Sequence, residues 1–173
     1  MLRYQRWRWL RFLSSYERKF KFCSLIVKMG KRRKAREIAL QALFQIDFYG
    51  SQAQEPLSYF WQEQKASPEV LEFAHKLVEG VCRRRKEIDQ LIEQHSENWK
   101  LSRMSRVDRN ILRMAVLEFL EMEDIPCKVS IDEAIELGKK YGSSDSGAFI
   151  NGILDQILKH LLREQKIRKV ENL

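Results

Sequence analysis

The residues with the most chemical reach in this 173-residue sequence are three histidines and three cysteines, and their spacing gives them little to do together. His75, His95 and His160 stand singly, with no second His, Cys or acid at a metal-binding interval. Each reads as surface or packing material on a helix. Cys23, Cys82 and Cys127 are odd in number and far apart. That pattern fits neither a disulfide framework nor a metal site, and it suits the reducing cytoplasm. Glu133 and Glu136 fall on one helix, where capping explains the first and solvation the second. No Walker-type loop, dinucleotide-binding glycine pattern or nucleophile elbow occurs. These residues point to a binding protein with no metal, no cofactor and no catalytic centre.

Two other stretches could hold an anion or a base. Lys31-Arg32-Arg33-Lys34-Ala35-Arg36 opens a helical pattern, so its cations sit at the positive end of the helix dipole. An anionic partner would offset that cost, and phosphate contacts would bring a steep salt dependence. The competing reading is a solvated basic face. The second stretch, Tyr141-Gly142-Ser143-Ser144-Asp145-Ser146-Gly147-Ala148-Phe149, is a polar loop entering a helix between two aromatics. Its backbone N–H groups could receive a phosphate or base edge, and its rings could stack on splayed bases. Asp145 or Ser146 could equally be a plain N-cap, with Phe149 in the core.

The elements that carry these stretches are helical throughout. Ala35, Ile38, Ala39, Ala42, Leu43 and Ile46 recur at helical spacing, and Gly50 supplies a stop. Pro56 suits the first turn of a short helix with Leu57, Phe60 and Trp61. Ser67-Pro68-Glu69 is a start signal, followed by a stripe from Val70 to His95 with a bend or exposed turn near Arg84. Ser105-Arg106-Val107-Asp108 reads as a capping box with Asp in the acid position. In the helix that follows, Glu118 interrupts the stripe, which shifts towards Leu117 and Leu120, and Ile125-Pro126 ends it. Ser130-Ile131-Asp132-Glu133 reads as a second capping box, opening a helix that Gly142 closes. Phe149/Ile150, Ile153/Leu154, Ile157/Leu158 and Leu161/Leu162 form a broad apolar stripe in the last helix. The expected fold is an all-α bundle of about six to seven helices.

Composition agrees. Apolar residues make up 44% of the chain and charged residues 32%, enough for a core and too ordered a pattern for general disorder. No apolar run approaches the roughly 20 residues needed to span a bilayer. The net charge is +8, but residues 1–28 carry eight Arg or Lys against Glu17 alone, so the remainder holds only about +1. That basic, aromatic-rich segment reads as a misassigned start upstream of Met29, an RNA- or membrane-surface arm, or a targeting leader. The organisation expected is an extension over 1–28, a helical domain over 29–163 and a polar tail over 164–173.

Three segments together resemble the NusB family of bacterial transcription antitermination factors: RRKAREIALQALFQIDFYG, SRMSRVDRNILRMAVLEFL and IPCKVSIDEAIELGKKYGSSDSGAFINGILDQI. The resemblance implies two small helical bundles packed together, and binding of the boxA element of ribosomal RNA transcripts. It further implies a heterodimer with ribosomal protein NusE, within an RNA polymerase complex that suppresses premature termination. It leaves room for a homodimer of the free protein. On matched positions it implies RNA contacts by Arg32, Arg33, Lys34, Arg36, Gln41 and Phe44, and by Tyr141, Asp145, Ser146 and Phe149. The NusE surface is implied around Asp108, Arg109 and Glu118.

Some positions depart from the family pattern. Phe44 stands where Tyr is common, Gly138 should cost about 1 kcal/mol of helix propensity, and Gly147 should loosen its loop. Two alternatives remain open. Ribosomal RNA cytosine methyltransferases carry a NusB-like domain, but also a long catalytic α/β domain for which no segment here reads. A purely structural helical adaptor would bind no RNA and be insensitive to salt.

Overall fold

The structure is a computed structural model that describes residues 30–96 and 99–167. The readings of residues 1–28 lie outside the described residues. Seven α-helices and two short 3-10 turns account for the described chain, with no strand among the described residues. Helix α1 spans 30–49, α2 Gln54–Gln62, α3 Pro68–Arg83, α4 Arg85–His95, α5 Arg106–Glu121, α6 Cys127–Tyr141 and α7 Ser146–Arg163.

Helix α1 forms where the apolar stripe predicts it, and Ala35, Ile38, Ala39, Ala42 and Leu43 are all buried. Its end is set by Gly50, whose φ of 56° is a left-handed geometry that favours glycine. Pro68 occupies the first turn of α3 behind an extended Ser67, as the start signal predicts, although the Ser67 hydroxyl makes no capping bond. The bend expected near Arg84 is a true break, with φ −102° and ψ 17° separating α3 from α4.

Helix α5 is the centre of the fold, packed against α3, α4, α6 and α7, and α6 and α7 pack closely on each other. α5 is buried nearly all round, so its polar residues must be satisfied inside the protein. Its N-terminus is capped as predicted: the Asp108 N–H donates to Ser105 Oγ at 3.0 Å. Close approach to α3 requires Gly80, where a Cβ would lie 2.6 Å from Leu117 Cδ2.

Three expectations are corrected by the packing. α5 ends at Glu121, ahead of Ile125-Pro126, because Met122 leaves helical geometry at φ −116° and ψ 74°. Helix α6 begins at Cys127 behind Pro126, so Ser130 and Glu133 are interior positions and not a capping box. The buried Ser130 hydroxyl donates to Glu118 instead. Gly138 is the contact that lets α6 meet α7, since a Cβ there would fall 2.7 Å from Ile150 Cδ1. Its propensity cost is offset by packing of the fully buried Ile150. Gly147 is likewise buried against Lys139 and Ile135 of α6, in a tight contact and not a loose loop.

Candidate functional site

The basic run divides between two sides of α1. Arg36 turns inward and is 3% exposed. Its Nε and Nη2 donate to the two carboxylate oxygens of Glu118 at 2.7 and 2.8 Å, a bidentate pair sealed inside the protein. Glu133 lies 3.6 Å from the same guanidinium. Arg36 is therefore placed as a core ion-pair residue, which departs from the expectation that it faces RNA. Glu118 is 2% exposed, so it stands behind the surface that a partner would touch.

The other cations face outward but are not bare. Lys31 pairs with Glu69, Arg32 with Asp124, and Arg33 bidentately with Glu133. The hydrogen bond and then the charge of Glu133 raise Arg33 above the ordinary arginine range. These carboxylates, supplied by α3, the α5–α6 connection and α6, relieve part of the dipole conflict that the sequence argument assigned to an anionic ligand. Lys34 is exposed and makes no ion pair among the described residues. Arg33 keeps 51% of its side-chain surface. Gln41 and Phe44 continue the exposed side of α1, with Phe44 at 39%.

The end of α6 joins this surface. Lys140 donates to Glu37 on α1 at 2.7 Å, and its ammonium sits 5.0 Å from the Tyr141 ring centroid. The Glu37 hydrogen bond, and then that with Tyr141, raises the Lys140 ammonium above the ordinary lysine range. Tyr141, half-exposed by its ring, and Asp145, exposed at the start of α7, flank the loop. Ser146 is 1% exposed and ties the loop internally: its Oγ accepts from the Ser143 N–H at 2.8 Å. Asp145 makes no side-chain capping bond. Phe149 is half-buried, with its ring edge-on to Trp99 at 5.6 Å.

At the far end of α1 a second charged knot binds α1 to α5. Asp47, with 2% of its side chain exposed, receives Arg109, Arg113, Arg85 and Asn110. Burial pushes its carboxyl pKa up, but the Arg109 hydrogen bond and the charges of Arg113 and Arg85 outweigh that and hold it below the usual aspartate value. Two buried polar atoms close by, Asp108 Oδ1 and Arg109 Nε, have no hydrogen-bond partner. Sequence reasoning did not single out Asp47, since an acid in a helix carries no pattern.

Next to them lies an aromatic groove of about 810 Å³ between α1 and α2, lined by Phe44, Phe48, Tyr49, Tyr59 and Phe60. Phe48 and Tyr59 are 60% and 68% exposed, and Arg106 at the start of α5 lies over the Phe48 ring at 5.7 Å. Arg106 thus links the Phe48 wall of the groove to the first turn of α5. Its only sequence signal is the run of aromatics past the last core position of α1.

The histidines pack against other rings: His75 stacks on Trp61 at 3.8 Å, and His95 lies 4.7 Å from His160. Among the described residues no group of three or more His, Cys, Asp or Glu could hold a metal ion. No described helix is long and apolar enough to cross a membrane.

Comparison with known proteins matches this arrangement to one family. The NusB family model covers residues 33–159. The transcription antitermination protein NusB of Desulfatibacillum aliphaticivorans is 52% identical over 141 residues, covering 82% of this chain and 99% of that protein. The Myxococcus xanthus protein of the same name is 51% identical, covering 75% of this chain and 95% of its own. Among solved structures, T. maritima NusB is 40% identical with a TM-score of 0.70, over 78% of this chain and 95% of that one. The NusB chain of a complex of antitermination factors NusB and NusE with dsRNA is 31% identical, with a TM-score of 0.68, over 76% of this chain and 98% of its own. The chain belongs to the NusB family.

Proposed function

We propose that this protein is a transcription antitermination factor that binds boxA-type RNA together with NusE and joins the RNA polymerase complex that suppresses premature termination. The observation that carries the reading is the likeness to a NusB solved with NusE and dsRNA, over 76% of this chain. The protein acts in the cytoplasm by binding and not by catalysis.

In this reading Arg32, Arg33 and Lys34 hold phosphate, and Gln41 and Phe44 extend the contact along α1. Tyr141, Asp145 and Phe149 form the second RNA contact. Arg36 and Ser146, both buried, position these surfaces from behind. NusE covers the start of α5 at Asp108 and Arg109, where two buried polar atoms lack partners. It continues over the adjoining aromatic groove, with Glu118 as interior support. Aromatic rings with a polar rim are the usual composition of such interface centres.

A titration of boxA RNA with and without NusE tests the reading across a series of salt concentrations. Tight binding that needs NusE is expected. Replacing Arg32, Arg33 and Lys34 with Ala should flatten the salt slope by about two to three units. An unchanged slope would remove them from the interface, and failure to bind with NusE present would leave only a structural adaptor.

A further inference from the structure

Beside Phe149 the structure holds a pocket of about 310 Å³ whose walls include Gln94, His95, Trp99, Gly152 and Gln156. It lies between the end of α4 and the first turns of α7. Trp99 is 50% exposed, but its backbone is not free. Its N–H donates to the Ser96 carbonyl at 3.1 Å, and its own carbonyl accepts from the buried Ser96 hydroxyl at 2.8 Å. The indole lies edge to face with Phe149 at 68° between planes.

The polar groups of the pocket suit a base better than an apolar side chain. Neither Gln94 nor Gln156 has a side-chain hydrogen-bond partner among the described residues, so each offers a donor pair and an acceptor. His95 Nδ1 lies 2.8 Å from the Leu91 carbonyl, so that nitrogen donates to it and Nε2 is the ring nitrogen left for a ligand. Gly152 leaves its side open, since a Cβ there would meet nothing within 4 Å. Lys100, adjacent in sequence, is exposed and makes no ion pair among the described residues, which leaves it for a flanking phosphate. An aromatic platform, unpartnered amides and a nearby cation are the combination that holds a splayed, single-stranded base.

We propose that this pocket takes one unpaired base of the bound RNA, stacked on Trp99 against the edge of Phe149 and hydrogen-bonded by Gln94 and Gln156. The proposal rests on the RNA-binding reading and adds to it a site on which Trp99, not Phe149 alone, supplies the stacking surface.

The test uses the protein–NusE complex and a boxA oligonucleotide in which each base in turn is replaced by an abasic sugar. Trp99→Ala should weaken binding about 5- to 100-fold. It should also abolish the abasic penalty at one position while leaving the other positions unchanged. Trp99→Phe should restore most of the affinity, and Gln156→Ala should lose less than Trp99→Ala at the same RNA position. Unaltered binding by Trp99→Ala, with the salt slope of the basic run intact, overturns the pocket and spares the RNA reading. Absence of RNA binding by the unmodified complex overturns both. A Trp99→Ala loss that adds to the abasic penalty at every position overturns the pocket. So does weakened NusE capture with RNA affinity of the assembled pair unchanged, since the occupant would then be a protein side chain. A loss that follows the folded fraction in a thermal melt assigns Trp99 to structure and also overturns it.

Discussion

The two sides of α1 carry the same residue types to opposite ends. On the inner side, Arg36 sits with Glu118 and Glu133 out of water, and Asp47 gathers three guanidinium groups at the other end of the helix. On the outer side, Arg33 and Lys34 keep their solvent, followed by Gln41, Phe44 and Phe48. Inside, a charge is held by carboxylates that cannot leave without exposing an unpaired ion to a low dielectric. Outside, the same charge is available for exchange with a phosphate, because a solvated ion pair is worth little. A cluster of arginines in a helix is therefore two different devices, and the difference is which way each side chain turns.

The largest effect should come from breaking the inner side. Arg36→Ala leaves Glu118 buried with only Ser130 and should cost about 3–5 kcal/mol of folding stability. A denaturant midpoint measures it, and RNA affinity per folded molecule should be unchanged. If stability holds while RNA affinity falls, Arg36 belongs to the outer side and the comparison fails.

Asp47→Ala should cost about 3 kcal/mol, because Arg113 loses a buried partner while Arg85 and Arg109 remain partly solvated. The same carboxylate sets an acid limit. Its folded pKa is lowered, so its stabilisation is present above the unfolded value, about 3.9, and is lost as pH falls through the folded one. Thermal midpoints of the native protein should drop steeply below about pH 4, and the Asp47→Asn variant should show a shallower acid slope. Equal slopes would show that the Asp47 knot does not govern acid stability.

A smaller change probes how tightly the site-bearing helices are set. Gly138→Ala improves helix propensity but drives a methyl into Ile150, for a net loss of about 1 kcal/mol by thermal or urea melting. A gain in stability would mean that α6 and α7 can part without cost. The smallest stability effect belongs to the outer side. Lys34→Ala should leave stability within about 0.5 kcal/mol and reduce the salt slope of RNA binding by about one unit. Destabilisation there would place Lys34 with Arg36.

Much of this architecture is written in local pattern. The apolar stripes of α1, α3 and α7, the stop at Gly50, the cap at Ser105 and the break at Arg84 all follow from backbone preference and periodic burial, which act within a turn or two. The start of α6 is not legible locally: Ser130 and Glu133 have the spacing of a capping box, and spacing does not say whether a hydroxyl turns to its own backbone or to a carboxylate on another helix. The end of α5 is legible only as a limit, because a proline marks the latest possible stop and Met122 departs earlier. Phe149 is legible in the sequence as a candidate stacking ring, but Trp99 is not, since it meets Phe149 from fifty positions away.

The sequence by itself determined that the chain is a helical bundle, where a cationic run and a polar loop lie along it, and through three long motifs which family it joins. Only the tertiary structure decided which of those cations meet water. Helical periodicity assigns a face from apolar residues, and α1 buries Arg36 on that apolar face because Glu118 and Glu133 arrive there from α5 and α6. Burying a charge depends on a partner brought from 82 and 97 residues away, by positions 118 − 36 and 133 − 36. No local rule can supply that partner.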